Sequence, residues 1–200
     1  MRPVRRGYAQ GMATNEKTLQ GKTIAFLMAN EGVEQIELTE PWRAVEEAGG
    51  RPQLVAPDAN KKVQAFNHLD KADTFVVDMA TNEANPDDFD GMVLPGGVAN
   101  PDFLRMDKAA VEFTKAMFAA KKPVAAICHG PWTLVEAGVL KGCTITSWPS
   151  IQTDVRNAGG TWVDEEVCVD NGLVTSRKPD DLPAFCKKMV EEFAEGTHRR

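Results

Sequence analysis

The chain has 200 residues, 42% hydrophobic and 26% charged, which fits one globular domain with a core that needs neither disulfides nor a structural metal. A formal charge of −6 argues against the basic face of a nucleic-acid binder. No apolar run approaches the roughly 18 residues of a membrane span.

Charge is unevenly spread. Residues 1–22 carry Arg2, Arg5, Arg6, Lys17 and Lys22 against Glu16 alone, a net of +4 that leaves −10 on the remainder. This start lacks the apolar stretch of a secretory signal. Residues 1–21 read as a disordered basic leader, 22–196 as one domain and 197–200 as a tail. The four cysteines, at 128, 143, 168 and 186, contain no C-x-x-C pair. Free thiols in a cytoplasmic protein are the expectation. Three histidines, at 68, 129 and 198, are too scattered to predict a histidine-rich metal site.

In chain order, the apolar run 23–28 predicts a buried strand. A helix follows over 35–48, with Pro41 in its first turn or at a kink, and Gly49-Gly50 marks its end. A strand at 52–56, a hairpin near 62–77 and a buried strand at 91–95 come next, the last stopping at Gly96-Gly97. Residues 107–121 carry a helical stripe that includes Ala110, Val111, Phe113, Met117 and Phe118. Strand 123–127, helix 131–138, strand 143–147 and a short helix at 150–158 continue the alternation. Asn171-Gly172 joins strands 167–170 and 173–176 as a hairpin. The last helix runs from near Pro179 to Gly196 and buries Leu182, Phe185, Met189, Val190 and Phe193. Strand–helix alternation of this kind predicts an α/β fold, a flavodoxin-like three-layer sandwich with a mainly parallel sheet.

Ligands of such sheets bind beyond the carboxyl ends of the strands. Cys128 stands at one of these ends, in Val124-Ala125-Ala126-Ile127-Cys128-His129-Gly130-Pro131. Small residues two before and two after it permit the sharp turn of a nucleophile elbow. The helix that starts behind it predicts a depressed thiol pKa, and His129 is a proton carrier beside the sulfur. Cys143, Cys168 and Cys186 read as packing residues. No Walker loop or dinucleotide fingerprint occurs, so neither a nucleotide cofactor nor a metal is implied. Trp132 and Trp148 read either as pocket walls or as core.

These residues carry a family resemblance. Ala126-Ile127-Cys128-His129-Gly130-Pro131, Leu94-Pro95-Gly96-Gly97 and Glu34-x-x-Glu37-x-x-x-Pro41 resemble the PfpI family, the intracellular cysteine protease and general stress protein branch of the class I glutamine amidotransferase-like superfamily. A protein deglycase belongs to the same superfamily. The resemblance continues through Thr146-Ser147-Trp148-Pro149, Asn157-Ala158-Gly159, Trp162-Val163-Asp164 and Ser176-Arg177-x-Pro179-x-Asp181-Leu182. It implies Cys128 as nucleophile, His129 as base and Asp102 as the acid, supplied by a neighbouring subunit of a homo-dimer or larger homo-oligomer. Glu37 matches a buried acid on the sulfur and Glu34 a nearby acid. The N–H groups of Gly97 and His129 match the oxyanion hole. Read from the residues alone, Asp102 also suits the cap of a short helix, and Glu37 a solvated carboxylate at a helix start.

The resemblance implies a stress-related cysteine hydrolase acting on a protein, a peptide or a small carbonyl compound: a deglycase or glyoxalase-like enzyme, or a peptidase. The alternative is a non-enzymatic redox sensor or chaperone in which Cys128 is oxidised. A glutamine amidotransferase needs a downstream His-x-Glu pair, and the only later histidine is His198.

Overall fold

The computed structural model describes residues 18–198. The expected leader lies mostly outside the described residues. Its last four positions do not: residues 18–21 form a turn, and Leu19 is fully buried with its N–H on the Ala48 carbonyl at 2.9 Å. Packed structure therefore extends ahead of residue 22. In the expected tail, the His198 N–H donates to the Lys121 carbonyl at 3.0 Å.

The elements are β1 (Thr23–Leu27), β2 (Glu31–Glu34), α1 (Gln35–Glu47), β3 (Arg51–Ala56), β4 (Lys62–Asn67), β5 (Asp70–Val76) and β6 (Met79–Ala80), then β7 (Gly91–Leu94), α2 (Ala99–Leu104) and α3 (Lys108–Ala119). They continue with β8 (Val124–Ile127), α4 (Pro131–Ala137), β9 (Thr144–Ile145), α5 (Gln152–Asn157), β10 (Thr161–Trp162), β11 (Val167–Asp170), β12 (Leu173–Ser176) and α6 (Leu182–Glu195).

The main sheet has seven strands in the order β11-β12-β8-β7-β1-β3-β6. Every pairing in it is parallel except β11 with β12. The run β3-β1-β7-β8-β12 is the flavodoxin-like order, whose direction reverses between β1 and β7. Strand alternation divides the interior in two. Ile24 and Phe26 of β1 face a cluster with Leu38 and Val45 of α1 and Phe185, Met189 and Phe193 of α6. Ala25 and Leu27 face Phe113 and Met117 of α3 and Leu134 of α4. Both faces are covered, so the strands read as continuous apolar runs.

Departures from expectation are local. Pro41 lies in the interior of α1 and is buried. Val190 is only partly buried, against the first cluster. The hairpin expected near 62–77 is β4–β5, and it joins β2 in a second sheet ordered β2-β4-β5. The strand expected at 143–147 shortens to β9, which pairs with β10 outside the main sheet. Asn171 and Gly172 both take positive φ, 49° and 81°, as the two-residue hairpin requires.

Candidate active site

Three loops meet at the carboxyl ends of β1, β7 and β8. The first, residues 28–30, leads through β2 into α1; the second is the Pro95-Gly96-Gly97 turn; the third is the Cys128 elbow. Asn100 locks the first two together: its Oδ1 accepts the Ala29 N–H at 2.7 Å, and its Nδ2 donates to Pro95 and Gly96 carbonyls at 2.9 and 3.0 Å. Side-chain polarity gave no sign of this buried asparagine's role.

Cys128 has φ +60°, a left-handed conformation that a residue with a Cβ adopts at a cost of about 1–3 kcal/mol. The surroundings hold it there. The Cys128 N–H donates to Ser176, its carbonyl accepts from Trp148 at 2.9 Å, and the Gly130 N–H returns to Ile127 at 2.9 Å. A Cβ on Gly96 would lie 2.6 Å from the Cys128 Cβ and also against Glu37, while one on Gly130 would strike the Leu94 carbonyl. The glycines are what let the two turns close on the nucleophile.

The sulfur is nearly enclosed, with Cys128 8% exposed, and stands 3.2 Å from His129 Nδ1. The backbone N–H groups of Gly97 and His129 favour its charged form. Beside it lies Glu37, fully buried, with Oε2 accepting the Gly96 N–H at 2.9 Å and Oε1 buried without a hydrogen-bond partner. Burial pushes the Glu37 carboxyl up to about 8, with the nearby charge of Glu34 adding to it. Glu37 is therefore mainly protonated at neutral pH.

The expected depressed thiol is not what the site produces. Burial pushes the Cys128 thiol up, and the negative charge available to Glu37 adds to that, against the lowering by two backbone N–H donors. Desolvation is the largest of these causes and sets the direction. Burial also lowers His129. The pair rests as thiol and neutral imidazole.

The crevice above the sulfur has a volume of about 870 Å³. Glu31, Glu34, Glu37, Gly97, Cys128 and His129 line it, with Trp132, Trp148, Phe66, His68, Leu69, Val98 and Phe103 among its other walls. Both tryptophans are thus walls. His129 stacks on Trp148 at 5.9 Å and tilts against Trp132 at 5.4 Å. Glu34 caps nothing in α1; its Oε2 accepts the His68 N–H at 3.0 Å, fixing the β4–β5 turn over the opening. Nothing in the spacing of Phe66, His68 and Leu69 announced this wall.

Asp102 stands apart. It is exposed within α2, does not cap that helix, whose N-cap is Val98, and is not among the crevice walls of its own chain. The far nitrogen of His129 instead meets Ser150, whose Oγ lies 3.4 Å from Nε2. Away from the crevice, Glu192, Glu195 and His198 are the one group among the described residues whose possible metal-ligand atoms lie within 4.8 Å of one another. No helix among those residues is long and apolar enough to cross a membrane.

The chain is similar to known proteins in sequence and in fold. The family model for the DJ-1/PfpI family matches residues 22–192. The chain is 44% identical to "Deglycase PfpI" of Pyrococcus furiosus over 168 residues, 84% of this chain and 97% of that protein. It is also 44% identical to "Putative cysteine protease YraA" of Bacillus subtilis over 169 residues, 84% and 96% of the two chains. Among solved structures, Drosophila melanogaster DJ-1beta superposes with a TM-score of 0.78 at 26% identity, covering 86% of this chain and 90% of that one. A family model matched over residues 22–192, with 44% identity to a relative over 84% of the chain, places this chain in the DJ-1/PfpI family.

Proposed function

We propose that the protein is a cysteine-nucleophile hydrolase attacking carbonyl carbon, of the deglycase or peptidase kind named among its relatives. The observation that carries this is the 3.2 Å separation of Cys128 Sγ and His129 Nδ1 at the floor of an aromatic-walled crevice. With both groups neutral at rest, Nδ1 takes the S–H proton as Sγ bonds to the carbonyl carbon. The carbonyl oxygen gains the electron pair, and the Gly97 and His129 N–H groups, which favour negative charge at the sulfur, are placed to bond it. Where a nitrogen leaves, the imidazolium gives it the proton as the C–N bond breaks and the oxyanion re-forms the carbonyl of a Cys128 thioester, which water, deprotonated by His129, hydrolyses to free the thiol; where none leaves, the proton goes to the new oxygen and the product is a hemithioacetal. Protonated Glu37 adds no second negative charge beside the sulfur.

The acid of a Cys-His-Asp triad would come from Asp102 of a second copy. Supporting this, Asp102 faces solvent on a helix region that also exposes Val98, Phe103 and Met106, at 60%, 45% and 71%, an apolar face suited to a copy-to-copy contact. The redox-sensor alternative has less use than a hydrolase for a base within hydrogen-bond reach of the sulfur.

The test is turnover of methylglyoxal, glycated peptides and a fluorogenic peptide by the wild type and by Cys128→Ala. Loss of all turnover in the variant is expected. Equal turnover by both proteins overturns the reading.

A further inference from the structure

We propose that Asp154 is a positioning residue for the base: by accepting the indole N–H of Trp132 it holds that ring against His129, and so keeps the imidazole turned with Nδ1 toward Cys128. This rests on the Cys128–His129 reading and leaves the far ring nitrogen to the acid proposed from a second copy. It adds what fixes the plane of the ring within one chain.

The elbow does not fix that plane by itself. Backbone hydrogen bonds hold the main chain at His129, but the last torsion of a histidine side chain is broad and roughly two-fold. A turn about that torsion would carry Nδ1 away from the sulfur it meets at 3.2 Å. Packing must select the plane, and the ring packs on two indoles: Trp148, stacked at 5.9 Å, and Trp132, tilted at 5.4 Å.

Trp148 is tied to the elbow directly, its N–H donating to the Cys128 carbonyl at 2.9 Å. Trp132, the second residue of α4, is half-buried on the crevice wall, and its indole is held by two side chains. Its Nε1–H donates to Asp154 Oδ2 at 2.9 Å. The Arg105 guanidinium lies 5.8 Å from the ring centroid, steadied by bonds from Nε and Nη2 to Glu136 Oε2 at 3.1 and 2.9 Å. A cation over a ring face leaves the ring free to slide beneath it, whereas a hydrogen bond on the ring edge is directional. Asp154 therefore sets where the indole stands. One segment supplies both constraints. Trp148 opens the turn that leads through buried Ile151 into α5, which carries Asp154 in its first turn. Residues 148–154 thus reach His129 twice, directly by one indole and through Asp154 by the other.

The deciding measurements are the proton NOE between the His129 and Trp132 rings in the full chain, and kcat and KM for methylglyoxal or a fluorogenic peptide. In Asp154→Ala the NOE weakens and kcat falls about fivefold with KM little changed, as for one hydrogen bond lost. Asp154→Asn, whose amide oxygen can accept the same N–H, stays within about twofold of wild type. Trp132→Phe, which keeps a ring without the donor, loses about as much as Asp154→Ala, and the two together lose no more. A rise in KM with kcat unchanged makes Trp132 a wall for substrate alone and overturns the proposal. So does an unchanged NOE in Asp154→Ala, or an Asp154→Asn protein as impaired as the alanine variant. The NOE needs no turnover, so it decides the hold on the ring even where Cys128→Ala overturns the hydrolase reading.

Discussion

Replacing Glu37 by Gln should make the protein more stable in mild alkali, by an amount the burial of the carboxyl sets. Glu37 is fully enclosed and titrates at about 8 in the fold, against an ordinary 4.5. Between those values the folded state keeps a proton that the unfolded chain has lost. Folding then binds protons, so stability falls as pH rises. The slope is about 1.4 kcal/mol for each pH unit, up to about 4 kcal/mol lost between pH 5 and pH 8. Glutamine cannot ionise, yet its oxygen can still accept the Gly96 N–H that Glu37 holds at 2.9 Å. Urea unfolding of both proteins, followed by tryptophan fluorescence at fixed protein concentration from pH 5 to 8, isolates the difference. His129, whose lowered pKa has the opposite sign, is common to both and cancels. The two stabilities should be similar near pH 5 and diverge steadily above it in favour of Glu37→Gln. A difference that stays flat across this range would show Glu37 to be ionised, and would remove the protonated acid from beside the sulfur.

Two further outcomes follow from the site. Because burial raises the Cys128 thiol, its alkylation by iodoacetamide should keep rising through pH 6 to 9, up to about tenfold per unit; a rate that levels off by pH 7 would reveal a preformed thiolate and refute general-base activation. If Asp102 serves a second copy, mixing Asp102→Ala with Cys128→Ala, each inactive alone, should restore about a quarter of full activity after random pairing; no recovery despite proven subunit exchange would remove Asp102 from the mechanism.

The sheet was legible because its information is local. Fully apolar runs such as residues 24–27 and Val124–Ile127 need cover on both faces, and the helices between them supply it. Asn171-Gly172 fixed its own hairpin by backbone chemistry alone. The short strands were not legible for the converse reason. Glu31–Glu34 and Thr161–Trp162 are strands only because residues 64–66 and Thr144–Ile145 lie alongside them, and a pattern of period two cannot register over two to four residues.

The same division runs through the site. Cys128 and His129 could be found by inspection, since adjacent residues on a strand-to-helix turn meet without help from the rest of the fold. Glu37 needed a resemblance, because its sequence neighbours describe a helix start and only the closure of Gly96 onto it reveals a buried acid. Asp154 gave no signal, being brought to Trp132 by the turn that leads from Trp148 into α5. The thiol's direction was misread for a related cause. A helix N-terminus is visible in sequence and argues for a low pKa, whereas desolvation depends on what closes over the sulfur. With Cys128 8% exposed beside a second buried acid, the quantity hidden from the sequence is the larger one. It turns His129 from an accessory of a ready thiolate into the group that must make one, and so makes the placement of its ring matter.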